Sequence, residues 1–94
     1  MSSYRPRSSV VSTTINEDES VLLHLEAQQY YSLNTTGSRI WQLLAQGHGA
    51  ATIAAAIAEE WDISHDEALR SVRPFLRELG EADLIEETHD DTTA

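Results

Sequence analysis

Tyr30-Tyr31-Ser32-Leu33-Asn34-Thr35-Thr36-Gly37-Ser38-Arg39-Ile40-Trp41-Gln42-Leu43-Leu44-Ala45-Gln46-Gly47 is the stretch in which the chain changes period. Its first four residues alternate, with Tyr31 and Leu33 on one face and Tyr30 and Ser32 on the other, as in a short strand. From Asn34 onward the period is helical. Asn34, Thr35 and Thr36 are all suited to cap a helix, and Ile40, Trp41, Leu43 and Leu44 recur at i, i+3 and i+4 on one side of it. Gly47 fits the left-handed position just past the helix end.

Upstream, the period is two. Val10 to Ile15 is β-branched almost throughout and suits a strand. The polar cluster Asn16 to Ser20 separates it from a second apolar run, Val21 to Leu25, and Glu26 to Gln29 forms the next polar break. Breaks this short permit hairpins but not parallel crossovers, so the three runs predict an antiparallel meander. No later strand is evident to cover the third one, which leaves it as an open edge. Downstream, Thr52 is the expected cap of a second helix, with Ile53, Ile57 and Trp61 every four residues among alanines. Ser64 with Glu67 three residues on is a capping box that opens a third helix. The apolar side of that helix is Leu69, Val72, Phe75, Leu76 and Leu79. It should end near Ala82, with Leu84 and Ile85 folding back onto the core. Pro74 lies inside it, where it cannot donate to the carbonyl of Arg70.

These elements describe an α+β fold in which a three-stranded antiparallel sheet is followed by three helices. Residues 1–9 read as a flexible N-terminal arm, 10–86 as one domain, and 87–94 as a disordered acidic tail. A chain of 94 residues holds one modest core and little room for a deep substrate cavity. The absence of cysteine removes disulfides, thiol nucleophiles and thiolate metal sites. His24, His48, His65 and His89 stand far apart in sequence, which argues against a metal site, and no glycine-rich loop or nucleophile elbow is present. Nothing in the chain points to catalysis or to a cofactor. No apolar run approaches the ~18 residues of a membrane span, and the first residues lack the apolar core of a secretory signal, so a cytoplasmic protein is expected.

The charge is lopsided. Sixteen acids face six arginines, with no lysine, for a net charge of −10. Such a balance repels phosphate backbones and weighs against nucleic acid as a partner. Residues 48–94 contain twelve acids, yet they also hold Arg70, Arg73 and Arg77, half of the positive charge, at i, i+3 and i+7 on one helical face with Pro74. Two readings stand open. The arginines pair within the helix with Asp66, Glu67, Glu78 or Glu81, or they form a rail for the carboxylates of a partner segment. An extended peptide could add to the open third strand. If the third helix borders that strand, the groove would have a main-chain wall, an aromatic from Tyr30 or Tyr31, and a cationic rim. Both tyrosines also suit ordinary sheet and core positions.

The ordered set Tyr31-Ser32-Leu33-Asn34, Thr36-Gly37, Ile40-Trp41-Gln42-Leu43-Leu44, Gly47, Thr52-Ile53, Ile57, Val72, Phe75-Leu76, Leu79 and Leu84-Ile85 resembles the PqqD family. These are small peptide-recognition elements of ribosomal natural-product biosynthesis, also called RiPP recognition elements. The likeness covers about residues 10–87. It departs at Asp83, where the family commonly has glycine, and at Pro74. The resemblance implies a winged-helix-like fold and a non-catalytic protein whose partner is the leader segment of a precursor peptide. That leader would pair with Gln29, Tyr30, Tyr31, Ser32 and Leu33, with Arg70, Arg73, Pro74 and Arg77 on the helix side. The free-standing form is similar to the recognition subunit of lasso-peptide systems, which delivers the leader to a leader peptidase and a maturation enzyme. A homodimer through the strand edge is a further partner that an open edge allows. Two other readings are a structural subunit of a peptide-modifying enzyme and a winged-helix DNA-binding protein, the latter opposed by the net charge.

Overall fold

The computed structural model describes residues 2–16 and 19–89. In chain order it contains β1 (Ser2–Pro6), β2 (Val10–Asn16), β3 (Glu19–His24), β4 (Gln29–Leu33), α1 (Thr35–Ala45), α2 (Ala50–Trp61), α3 (His65–Glu81) and β5 (Ile85–His89). The expected meander is the sheet β2-β3-β4, antiparallel throughout, so the third strand of the sequence reading is β4. Ser20, Leu22 and His24 alternate inward on β3 and are buried. β2 is exposed along nearly its whole length, so its β-branched residues serve strand propensity more than burial. Within the polar turn, Asn16 donates to Glu19 at 3.1 Å, while Glu17 and Asp18 lie outside the described residues.

The two chain ends depart from expectation. Part of the anticipated arm forms β1, and the anticipated tail begins inside its partner strand β5, with Ser2 opposite His89 and Pro6 opposite Ile85. No local pattern announces this pair, because Ser2–Pro6 has no alternation and its partner lies at the far end of the chain. Side chains hold it instead. Arg5 pairs with Glu86, Arg7 reaches Asp83 at 3.3 Å and Glu86 at 3.6 Å, and Tyr4 packs against the core. The rest of the acidic tail, from Asp90, lies outside the described residues.

Helix ends follow their capping chemistry. Asn34 Oδ1 accepts from the Gly37 N–H at 2.8 Å and starts α1. Gly47, at φ +96°, ends it in a Schellman motif: the Gly47 N–H donates to Leu44 and the His48 N–H to Leu43. α2 starts earlier than Thr52, because Gly49 takes the cap position and Ala50 and Ala51 extend the helix backward. Its stripe stops at Ile57. Trp61 is the last helical residue, before Asp62 turns left-handed, and stays 38% exposed. Ser64 Oγ accepts from the Glu67 N–H at 3.1 Å at the start of α3. The helix closes through Asp83 at φ +63°, a conformation aspartate adopts more readily than most residues. Leu84 and Ile85 then turn inward and are buried beside Val72, Leu76 and Leu79. Between α1 and α2, Arg39 clasps Glu60, with Nη2 to Oε2 at 2.8 Å, and these hydrogen bonds raise the arginine pKa. Among the described residues no helix is long and apolar enough to cross a membrane.

α3 runs unbroken through Pro74, which is exposed. An interior proline costs ~3 kcal/mol by helix propensity, offset in part by the rigidity it gives the unfolded chain. Pro74→Ala should therefore stabilise the fold by about 2 kcal/mol, which is roughly 8–16 °C in thermal midpoint for a domain of this size. A midpoint that falls would show that the helix has adapted to the missing donor.

Candidate functional site

The hydrogen-bond ladder fixes which main-chain groups of the edge strand β4 face outward. The Leu25 N–H donates to the Ser9 carbonyl at 2.8 Å, and the adjoining register sets Val10 opposite His24. Ser9 and Leu25 are therefore a hydrogen-bonded pair, and such pairs alternate along an antiparallel ladder. On β3, Val21 and Leu23 direct their main-chain groups to β2, while Ser20, Leu22 and His24 direct theirs to β4. Opposite the latter stand Leu33, Tyr31 and Gln29. The N–H and C=O groups of Tyr30 and Ser32 are left pointing out along the free edge.

Side chains on this strand divide as the alternation predicts. Leu33 is buried, and Tyr31 is half-buried against the core with its hydroxyl donating to Gln29 Oε1 at 2.6 Å. Tyr30, on the opposite face, is 74% exposed. A buried histidine pins the hairpin in place. The Ala27 N–H donates to His24 Nδ1 at 3.2 Å, which puts the ring proton on Nε2, 3.2 Å from Asp83 Oδ2. The β3–β4 turn is thereby fastened to the corner where α3 passes into β5.

Beside the free edge lies α3, and two adjoining hollows run between them. One, of about 430 Å³, is walled by Ser32, Leu33, Gly37 and Ile40 against Ser71 and Phe75, with Glu19 at its rim. The other, of about 250 Å³, lies between Tyr31, Ser32 and Leu33 and the Phe75, Glu78, Leu79 and Ala82 side of α3. Phe75 lines both. Gly37 lets the ring approach, since a Cβ there would sit 3.2 Å from Phe75 Cζ. The result is a mostly apolar groove with one strand of unused main-chain donors and acceptors along its wall. Its charged residues, Glu19 and Glu78, are acids.

The structure thus brings together only part of the expected site. Gln29 to Leu33 form the edge, but the arginines are not the groove's rim. At 3.6 residues per turn, Ser71, Phe75, Glu78 and Ala82 make one row, and Arg70, Arg73 and Arg77 lie roughly 110–170° round the helix from it. Arg73 and Arg77 instead line a separate hollow of about 720 Å³ with Tyr4, Ala50, Ala51, Leu76 and Ile85. Pro74 and Arg70 are exposed and line none of these three hollows. Intrahelical pairing does not occur either: among the described residues, none of the three arginines has a carboxylate within ion-pair distance. Phe75, Ser71, Glu78 and Ala82 escaped the sequence reading as groove residues. The available signal was their i, i+4, i+7, i+11 spacing along the flank of the buried Val72-Leu76-Leu79 stripe.

Known proteins resemble this chain in sequence and fold. The family described as Coenzyme PQQ synthesis protein D (PqqD) matches residues 19–85, from β3 to the start of β5. Among solved structures, TbiB1 in complex with the TbiA(beta) leader peptide is 40% identical, with a TM-score of 0.82, covering 87% of this chain and 94% of that one. Lasso peptide synthetase B1 complexed with the leader peptide is 25% identical, with a TM-score of 0.80, covering 88% of this chain and 96% of that one. No curated protein matches the sequence. On the extent of that family match and the likeness to TbiB1 over nearly the whole fold, the chain belongs to the PqqD family.

Proposed function

We propose that this chain is a non-catalytic recognition protein for the leader segment of a ribosomally made precursor peptide of the lasso type. The leader adds as a fourth strand beside Gln29–Leu33, against the Phe75 side of α3, and is handed to a leader peptidase and a maturation enzyme. One observation carries the reading above the others: the outward main-chain groups of Tyr30 and Ser32 border an apolar groove, in a chain 40% identical to a protein solved with its leader. Strand addition draws affinity from main-chain hydrogen bonds and specificity from alternate side chains in pockets. The two hollows astride Phe75 suit a pair of apolar leader side chains. Because the groove's own charges are acids, affinity here depends on the added strand and those anchors rather than on arginine contacts. A second copy bound at the same edge would compete with the leader.

A fluorescence-anisotropy titration with the leader of this chain's cognate precursor peptide, and with its scrambled version, tests the reading. Saturable binding of the leader alone is expected, and none by either peptide would sink it. Phe75→Ala removes the ring shared by both hollows and should weaken the leader by tenfold or more, equivalent to ~1.4 kcal/mol. Unchanged affinity would remove the α3 wall from the site.

A further inference from the structure

The chain has six arginines, and the structure sorts them into two groups. Arg5, Arg7 and Arg39 are each paired with a carboxylate: Glu86, Asp83 and Glu60, respectively. Arg70, Arg73 and Arg77 have no such partner among the described residues, although Asp66, Glu67, Glu78 and Glu81 share their helix. All three are exposed on one side of α3, in a protein with 16 acids and a net charge of −10. At 1.5 Å per residue the row spans about 10 Å, the reach of a few residues of extended chain.

This side of the helix is not flat. Arg73 and Arg77 stand over the hollow formed with Tyr4 of β1, Ala50 and Ala51 of α2, and the buried Leu76 and Ile85. Gly80 lies one turn further along the same wall, and a Cβ there would meet nothing within 4 Å, so the hollow is open at that end. Glu87 is the single acid in its lining. A cationic rim over an apolar floor suits a ligand that carries carboxylates on either side of an apolar side chain, since arginine grips carboxylates in a planar fork.

We propose that the arginine side of α3 is a second docking surface, which takes an acidic segment of a partner protein while the leader occupies the groove on the other side of the same helix. The inference rests on the leader-binding reading for the second occupant only. A short acidic protein segment is favoured over nucleic acid, because the protein's net charge of −10 repels a long phosphate chain. The arrangement lets one helix hold cargo on one flank and a receiving protein on the other, with neither displacing its counterpart.

Amide chemical-shift mapping of the full chain at low salt tests this, with a synthetic peptide of Asp and Glu around one central Leu as the probe. Saturable shifts at Arg73, Arg77, Gly80 and Ala50 are expected, equal in free and leader-saturated protein, and absent with the Asn/Gln version of the peptide. Arg73→Glu with Arg77→Glu should weaken the acidic peptide at least tenfold, and Arg73→Gln with Arg77→Gln several-fold, while leader affinity in both stays within twofold of the parent. No shifts on this side overturn the proposal, as does displacement of the acidic peptide by the leader. Equal binding of a single-stranded oligothymidine would reassign the surface to nucleic acid. Conversion of a dimer to monomer by the double Glu variant would reassign it to a second copy of this chain. Loss of leader binding in the parent protein is a separate outcome, and bears on the groove alone.

Discussion

Ser32→Pro should abolish productive leader binding while leaving the fold in place. The Ser32 N–H points away from β3, so proline at this position removes no bond of the existing ladder. It does remove a donor that an added strand would use, and its ring occupies the approach of that strand. One bond unmade at ~1 kcal/mol is already roughly a fivefold loss, and steric exclusion of the incoming strand by the ring adds to it. Tyr31 before it is already extended, the conformation a residue preceding proline prefers. The thermal midpoint should move little, and Ser32→Thr should bind normally. A Ser32→Pro protein that folds and binds leader as the parent does would show that the peptide does not add at this edge.

Leu22→Ala should be the most damaging single truncation near the site. Leu22 is 0% exposed, sits on the inner face of β3 and stands opposite Tyr31 of the edge strand. Truncation of a fully buried leucine costs ~2–5 kcal/mol, the lost transfer energy plus that of the cavity left behind. A chain of this length has only about 5–14 kcal/mol in total at typical values per residue. The thermal midpoint should therefore fall by well over ten degrees, and the urea midpoint should drop with little change in slope. Below the transition, leader affinity should fall far less than in Ser32→Pro, because the outward groups of Tyr30 and Ser32 remain. A loss under ~1 kcal/mol would mean that the sheet's inner face contributes little to the core.

Much of the fold was legible because its determinants are local. The period change at Leu33–Asn34, the caps at Asn34 and Ser64, Gly47 past α1 and the fold-back of Leu84-Ile85 all rest on residues within a turn or two of each other. The β1–β5 pair was not legible, since Ser2–Pro6 carries no alternation and depends on Arg5, Arg7 and Tyr4 meeting residues from the other end of the chain. Thr52 lost the cap position to Gly49 because alanine propagates a helix backward as readily as forward. The candidate site was half legible. The sequence marked Gln29 to Leu33 as an open strand, but which of its main-chain groups face outward is set by the register with β3, and spacing on α3 reports only which residues share a face, not which neighbour that face meets. Val72, Leu76 and Leu79 point into the core, with β4 on one flank and β1, β5 and the start of α2 on the other. That sidedness put Phe75 beside the edge strand and turned Arg73 and Arg77 away from it.

Hydrogen exchange at the Tyr30 and Ser32 amides, with and without saturating leader, tests strand addition to β4 most directly. Both amides face solvent along the free edge and should exchange quickly in the unbound protein. Leader should slow both by at least tenfold and leave the amides around Arg73 and Arg77 unchanged. Leader saturation with Tyr30 and Ser32 still exchanging at their free rates would contradict strand addition.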